Sequence, residues 1–351
     1  MNTALPQRLA ASPDLYVQKI DLVREAALVV QLGQAAYRDA SFLDDRILTA
    51  GVKGGWAPLD EIVQAGRHVA DPRPLHYIFH TGHVGSTLVS RLLDESGCVL
   101  SLREPLPLRT LAEAWDVREL PESLLSPVRF AELEGTLTQL WRRGYASTRV
   151  VVVKATSSAC RLAPSLLGKD PNARAVYLNV AAEPYLATLL AGANSAIDLR
   201  GHGPIRIRRL AALLGPDTPA LHTLSPGQLA AMSWLAETAN QVETVEQFAE
   251  RVLAIDFDEF LADVAEGMGR IVRQLGVPVE NRYLEHIPRS PVLARYSKSP
   301  DFEYSPDLRR QLLEQARQMH AEEIRRGLGW LEALGASHPR VAAVLHRSKL
   351  C

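Results

Sequence analysis

The stretch from Leu75 to Leu88, LHYIFHTGHVGSTL, does more than any other to limit how this chain folds. Its first part, Leu75 to Phe79, is an apolar run of the kind that makes a buried strand, and from Leu88 onward Leu88, Leu92 and Leu93 fall at helical spacing. Between the two lies a turn that contains Gly82 and Gly85. A strand, a glycine turn and a helix in that order direct several backbone N–H groups and the positive end of the helix dipole at one point. The stretch is therefore a candidate cradle for a phosphate or sulfate.

The turn departs from the standard nucleoside triphosphate loop. That pattern needs Gly-Lys followed by Ser or Thr, because the lysine reaches the outer phosphates and the hydroxyl holds magnesium. Here Gly85 is followed by Ser86 and Thr87, and the earlier glycine of the motif falls on His80. Without the lysine a bound triphosphate loses its main cation, which disfavours hydrolysis of ATP or GTP. The plain alternative is that Gly, Ser and Thr here make an ordinary turn and helix cap.

Any anion site must be local. Lys plus Arg number 39 against 40 Asp plus Glu, a formal charge of −1, so the chain carries no overall basic field for nucleic acid or an anionic membrane. Cys98, Cys160 and Cys351 are odd in number and far apart, which argues against a disulfide framework and a structural zinc site. Asp256 and Asp258 lack metal-site spacing and read as caps of the next helix. Met1 to Tyr16 lacks the pattern of a secretory signal, and no apolar run approaches the roughly 18 residues of a membrane span. The expectation is a cytoplasmic protein with no metal site.

Taken in order, residues 1–74 read as a helical N-terminal extension, with Asp21 to Tyr37 as one amphipathic helix and another starting near Pro58. Pro72 and Pro74 mark the boundary with the first buried strand. Cys98 to Leu102 forms a short strand that runs into Arg103-Glu104-Pro105, a rigid exit able to hold Glu104 above the sheet edge. Val150 to Val153 is a buried strand that delivers Lys154 at its end, and Ala175 to Leu178 is another. Gly192 to Arg209 mixes glycines and arginines without clear periodicity; residues 192–224 read as a lid-like segment, with Arg200, Arg206, Arg208 and Arg209 either contacting an anion or simply solvated. Ser225-Pro226 opens a long helix, Arg251 to Phe257 is a last strand, and residues 281–351 form a C-terminal helical segment packed on the same domain, with Ser305 to Leu334 as a charged helix. Strands alternate with helices, so the class is α/β with a parallel sheet.

Several landmarks now stand in one order: HTGHVGSTL from His80, the Glu104 turn, VVVVK ending at Lys154, PNARAVYLNVAAEPYLATLL from Pro171, and AIDFDEFLAD from Ala254 with RIVRQLGVP from Arg270. Together they resemble the sulfotransferase branch of the P-loop superfamily, with bacterial members and the tyrosylprotein sulfotransferases as closest analogues, over about residues 75–280. The resemblance implies a P-loop α/β domain in which Gly82, His83, Val84, Gly85, Ser86 and Thr87 hold the 5'-phosphosulfate of 3'-phosphoadenosine 5'-phosphosulfate. It implies further that Lys154 stabilises the bridging oxygen of the leaving group and Glu104 takes the proton of a hydroxyl acceptor. Positioned donors and cations would supply most of the rate gain.

The departures from the family pattern are specific. His83 stands where many relatives carry Lys or Arg, and an imidazole is largely neutral near pH 7. The arginine and serine that bind the 3'-phosphate in the family correspond to Val180 and Thr188; the threonine keeps a hydroxyl, but the valine has no charge. Either another cation meets that phosphate, with Arg200 to Arg209 as candidates, or the donor differs. A kinase, a non-catalytic module that kept the fold, and a helical interaction protein stay open as alternatives. Lys154 as a surface strand-end lysine, Glu104 as a turn residue, His80 and His83 as structural histidines and Cys160 as a core thiol are the corresponding plain readings.

Overall fold

The computed structural model describes residues 4–297 and 303–348; Cys351, one of the three cysteines, lies outside the described residues. Strands β1 (Leu15–Asp21), β2 (Ala26–Gln31) and β3 (Gly54–Pro58) form an antiparallel sheet. Strands β4 (Leu75–His80), β5 (Val99–Arg103), β6 (Val150–Lys154), β7 (Ala175–Asn179) and β8 (Val252–Asp256) form a parallel sheet in the order β5-β6-β4-β7-β8. The α/β class and the parallel sheet read from the alternation of strands and helices are what the structure shows.

The topology explains where a ligand can sit. From β4 the chain crosses to the far edge as β5, returns as β6 beside β4, and then passes to the opposite side for β7 and β8. The direction of winding reverses at β4, so a crevice opens beyond its carboxyl end, where the glycine turn lies. Both faces of this sheet are covered. Along β4, Tyr77 and Phe79 point into one core while Ile78 points into the other, and β6 divides Val151 and Val153 from Val150 and Val152 in the same way. Two covered faces favour apolar residues along the whole strand, which is why Val150 to Val153 reads as an unbroken apolar run, while His76 in β4 and Ser101 in β5 are polar and buried.

The N-terminal expectation is corrected. Asp21 to Tyr37 is not one helix: Asp21 ends β1, its carboxylate accepts from the backbone N–H groups of Val23 and Arg24, Glu25 takes φ +48°, and the chain returns as β2. An aspartate that binds the backbone two and three residues on makes a turn, and the Val29-Val30 pair prefers the strand that follows. The helix near Pro58 is present as Leu59–Arg67. Residues 192–224 also differ from an aperiodic loop, since Ser195–Gly201 and Gly203–Leu214 are helices. Arg206, Leu210 and Leu214 are the buried row of the second helix, and an arginine in that row hides the period from any count of apolar residues.

In the C-terminal part, Ser305 caps the helix Pro306–Met319, and a break at His320 separates it from Ala321–Ser337. The long charged helix expected there is thus two. Ala321–Ser337 crosses Pro226–Gln247 at a pair of glycines: a Cβ on Gly227 would lie 1.9 Å from the Glu323 carbonyl oxygen, and one on Gly327 would lie 2.5 Å from the Gly227 oxygen. The Glu323 carboxylate accepts from the Gly227 N–H at 2.7 Å, which satisfies one of the donors left open at that helix start. Ser225 closes the same end with a capping box through Gln228. Among the described residues no helix is long and apolar enough to cross a membrane.

Candidate functional site

The glycine turn begins where β4 ends. Gly82, His83 and Gly85 all have positive φ, at +106°, +57° and +65°, and Gly85 is the residue from which the helix Ser86–Asp94 starts. A left-handed histidine costs about 1 to 2 kcal/mol, so the surroundings must impose this shape. Gly85 is required twice over. Besides its φ, a Cβ there would fall 2.0 Å from the Phe257 ring, which the turn after β8 presses against the loop. Gly82 is less crowded: an added Cβ would make ordinary contacts with the Tyr185 hydroxyl at 3.5 Å and the Ser157 hydroxyl at 3.6 Å. Val84 is buried and pins the loop to the core, while His83 is exposed with its ring edge-on to Tyr185.

The hydroxyls of the loop divide by their state. Thr81 and Thr87 are buried, and the oxygen of each lacks a hydrogen-bond partner among the described residues. Such groups cost about 1 to 3 kcal/mol each unless something binds them. A phosphate or sulfate oxygen in the cradle would accept a hydrogen bond from Thr87, so the residues present fit a phosphosulfate group on this count. Ser86 is buried beside it in the first turn of the helix.

Parallel pairing brings the two expected catalytic residues to this same end. Lys154 closes β6 in register with Ile78 of β4, and the backbone N–H of Glu104 donates to the Lys154 carbonyl oxygen at 2.7 Å. Their side chains form an ion pair in which Lys154 is fully buried and Glu104 is 10% exposed. Glu104 holds φ +52°, an unusual backbone for a residue before proline. A strained residue in a buried pair at the mouth of a crevice is the kind of outlier that accompanies function.

What roofs this pair has no signal in the sequence. The Lys154 ammonium lies 5.7 Å from the centre of the Phe42 ring, and Arg46 stacks on the same ring at 3.6 Å. Phe42 is held there because the Leu43 N–H donates to the Arg103 carbonyl at 2.7 Å. The Arg103 guanidinium, 1% exposed, donates to the carbonyls of Tyr37 and Ala40 and to the Ser90 hydroxyl, and pairs with Asp94. Arg103 beside Glu104 was visible in the sequence as a charged pair before a proline; the role of Phe42 depends on a contact between distant segments and had no local signal.

Beyond β7 the crevice is different in character. Val180 is buried in the apolar core, and its carbonyl accepts from the Trp234 indole N–H at 2.9 Å. Thr188 lies two turns into the helix Ala182–Ala191, and its hydroxyl donates to the Pro184 carbonyl at 2.7 Å, so its one proton is committed within its own helix. Glu183, in the first turn of that helix, is held by Arg317 at 2.7 Å.

Other residues singled out in the sequence fall into place around this frame. His80 is 4% exposed, and its Nε2 donates to the Ala155 carbonyl at 2.9 Å, because a carbonyl can only accept. The Cys160 sulfur accepts from the His80 backbone N–H, and burial pushes the thiol up to about 12, so it stays protonated. Asp256 accepts from the N–H groups of Asp258 and Glu259 and caps the helix Phe257–Ala262. Among the described residues no cluster of His, Cys, Asp or Glu is arranged to hold a metal ion. Arg200 and Arg208 are exposed, whereas Arg206 is 4% exposed and Arg209 pairs with the buried Glu237 at 3.1 Å.

No protein-family model matches the chain, and no curated protein matches it. Solved structures are similar in outline. A sulfotransferase domain from the curacin biosynthetic pathway is 14% identical, with a TM-score of 0.38 over 75% of this chain and 99% of that one. A sulfotransferase from Alicyclobacillus acidocaldarius is 15% identical, with a TM-score of 0.36 over 78% of this chain and 96% of that one. A sulfotransferase from Mycobacterium avium is 13% identical, with a TM-score of 0.37 over 90% of this chain and 95% of that one.

Proposed function

We propose that the chain is a sulfotransferase that moves a sulfuryl group from 3'-phosphoadenosine 5'-phosphosulfate to a hydroxyl on a small molecule or peptide. The observation that carries this reading is the buried Lys154–Glu104 pair, set by β5 and β6 beside the glycine turn at the end of β4. The backbone N–H groups of Gly82 to Thr87 and the Thr87 hydroxyl hold the phosphosulfate oxygens. Glu104 takes the proton of the acceptor hydroxyl while its oxygen bonds to sulfur. The sulfur–oxygen bond to the 5'-phosphate breaks, its electron pair stays on the bridging oxygen, and Lys154 neutralises the charge that develops there. The other product is adenosine 3',5'-bisphosphate.

A second reading has one observation in its favour. Val180 is apolar, buried and unable to meet a second phosphate, which suits a P-loop protein that kept the fold and changed or lost its donor site. Calorimetric titration with adenosine 3',5'-bisphosphate and with ATP separates the two. The comparison includes wild type, Lys154→Ala, and the double variant Lys154→Met, Glu104→Gln, which leaves neither charge buried alone. Binding of the bisphosphate by wild type that weakens in the folded variants supports the sulfotransferase; binding of ATP but not the bisphosphate refutes it.

A further inference from the structure

Three helices, Gly203–Leu214, Pro226–Gln247 and Pro339–Arg347, meet around a cleft of about 640 Å³. None of its lining residues belongs to the glycine turn or to the Lys154–Glu104 pair. Space is left because the helices line it with alanines: Ala212 from the first, Ala236 and Ala239 from the second, and Ala343 from the third. Leu210, Val242 and Val344, all buried, make an apolar floor. Packed helices leave few voids larger than a water molecule, whereas a cleft of this volume falls in the range of small-molecule sites.

The charged groups of the lining are not all spent on one another. Arg347 pairs with Glu246, and Arg209 pairs with Glu237, which leaves Glu243 on the second helix and Arg340 on the third. Among the described residues the Glu243 carboxylate has neither an ion pair nor a hydrogen bond. Arg340 has no carboxylate partner there either; its Nη1 donates to the Ala212 carbonyl at 3.0 Å. That bond leaves Nε and Nη2, whose N–H groups share one edge of the guanidinium and so suit a two-point contact with a carboxylate. Asn240 lies one turn before Glu243 on the same face of its helix and also lines the cleft. Its Nδ2 is buried with no hydrogen-bond partner. An amide carries donors at one end and an acceptor at the other, and rotation about its last torsion presents either.

We propose that the cleft binds a short apolar peptide with free ends, about the size of a dipeptide. Its ammonium meets Glu243, its carboxylate meets the open edge of Arg340, and its peptide group exchanges hydrogen bonds with the Asn240 amide. Its side chains cover the floor of Leu210, Val242 and Val344. A zwitterion with an apolar body uses both charges and the floor at once. A fatty acid would leave Glu243 facing a hydrocarbon chain, and an alkyl amine would do the same to Arg340, each at a desolvation cost. The site stands apart from the sulfotransferase reading and does not depend on it.

The probes are L-leucyl-L-leucine, its N-acetyl derivative, which lacks the ammonium, and its C-terminal amide, which lacks the carboxylate. Each is titrated by calorimetry into the full chain as wild type, Glu243→Gln, Arg340→Gln and Ala239→Trp, with circular dichroism to establish folding. Wild type should bind the free dipeptide, and each capped form should bind at least about tenfold more weakly. Glu243→Gln and Arg340→Gln should each lose about tenfold for the free dipeptide. Glu243→Gln should bind the N-acetyl form as wild type does, because the missing charge then has nothing to meet. Ala239→Trp fills the cleft and should abolish binding. The proposal is overturned if folded wild type takes up none of the probes at millimolar concentration, or if it binds all three equally. Unchanged affinity in folded Ala239→Trp overturns it as well. Should Ala239→Trp not fold, Glu243→Gln and Arg340→Gln decide, since both positions are exposed and tolerate the change.

Discussion

The two sides of the glycine turn are built on opposite principles. On the β5–β6 side, a lysine and a glutamate are buried as a pair, roofed by Phe42 and tied down by Arg103. On the β7 side, Val180 is sunk in the core, and the Thr188 hydroxyl is spent on its own helix. The first side holds charge against the cost of desolvation, which a fold does only when the geometry is good. The second offers no charge at Val180 and no uncommitted proton at Thr188. If the chain is a sulfotransferase as proposed, bond making falls to the charged side, and the far end of the nucleotide must be gripped by groups other than Val180 and Thr188.

Breaking the charged side should cost most. Lys154→Ala leaves Glu104 largely buried without its cation and should lower stability by about 3 to 5 kcal/mol in urea unfolding. Removing both charges together, with Lys154→Met and Glu104→Gln, should restore most of that loss; failure of the double variant to recover would show that the pair is not what Lys154 contributes. Forcing charge onto the other side is next. Val180→Arg should cost about 3 kcal/mol, because the guanidinium must enter an apolar core. It should also leave the affinity for adenosine 3',5'-bisphosphate no tighter, and a stable variant with tighter binding would erase the contrast between the sides.

Two threonines test the contrast more finely. Thr87→Val replaces a buried hydroxyl that has no partner among the described residues, so stability should stay within about 1 kcal/mol of wild type while bisphosphate affinity falls about tenfold. Thr188→Val removes a hydroxyl bonded inside its own helix and should change stability by less than about 0.5 kcal/mol. Its effect on nucleotide affinity should be under about twofold, and a larger loss measured by calorimetry would return Thr188 to the cradle.

The sequence made the parallel sheet legible because burial on both faces writes itself as unbroken runs such as VVVVK, and the glycine turn legible because left-handed backbone selects its residues. Asp21 to Tyr37 misled because Ala, Leu and Val count toward a helix unless the Asp21 turn is recognised as the stronger signal. Arg206 was grouped with three neighbours as a charge run, since a single sequence does not distinguish an arginine in a buried row from one facing water. Phe42 could not have been found at all, because its position over Lys154 depends on where Arg103 places the segment from Tyr37 to Leu43.

That use of Arg103 bears on the order in which the molecule can assemble. The antiparallel sheet is synthesised first, yet the cation that receives the carbonyls of Tyr37 and Ala40 is made some sixty residues later, at the end of β5. Until then the helix Gln34–Asp39 has no cap for those carbonyls and the segment bearing Phe42 has nothing to lie on. A nascent chain should therefore hold its N-terminal sheet open until β5 has left the ribosome, and then close it over the Lys154–Glu104 pair once β6 follows. Amide exchange on stalled chains ending before and after residue 103 would show protection in β1 and β2 only in the longer ones, or refute this order by showing it in both.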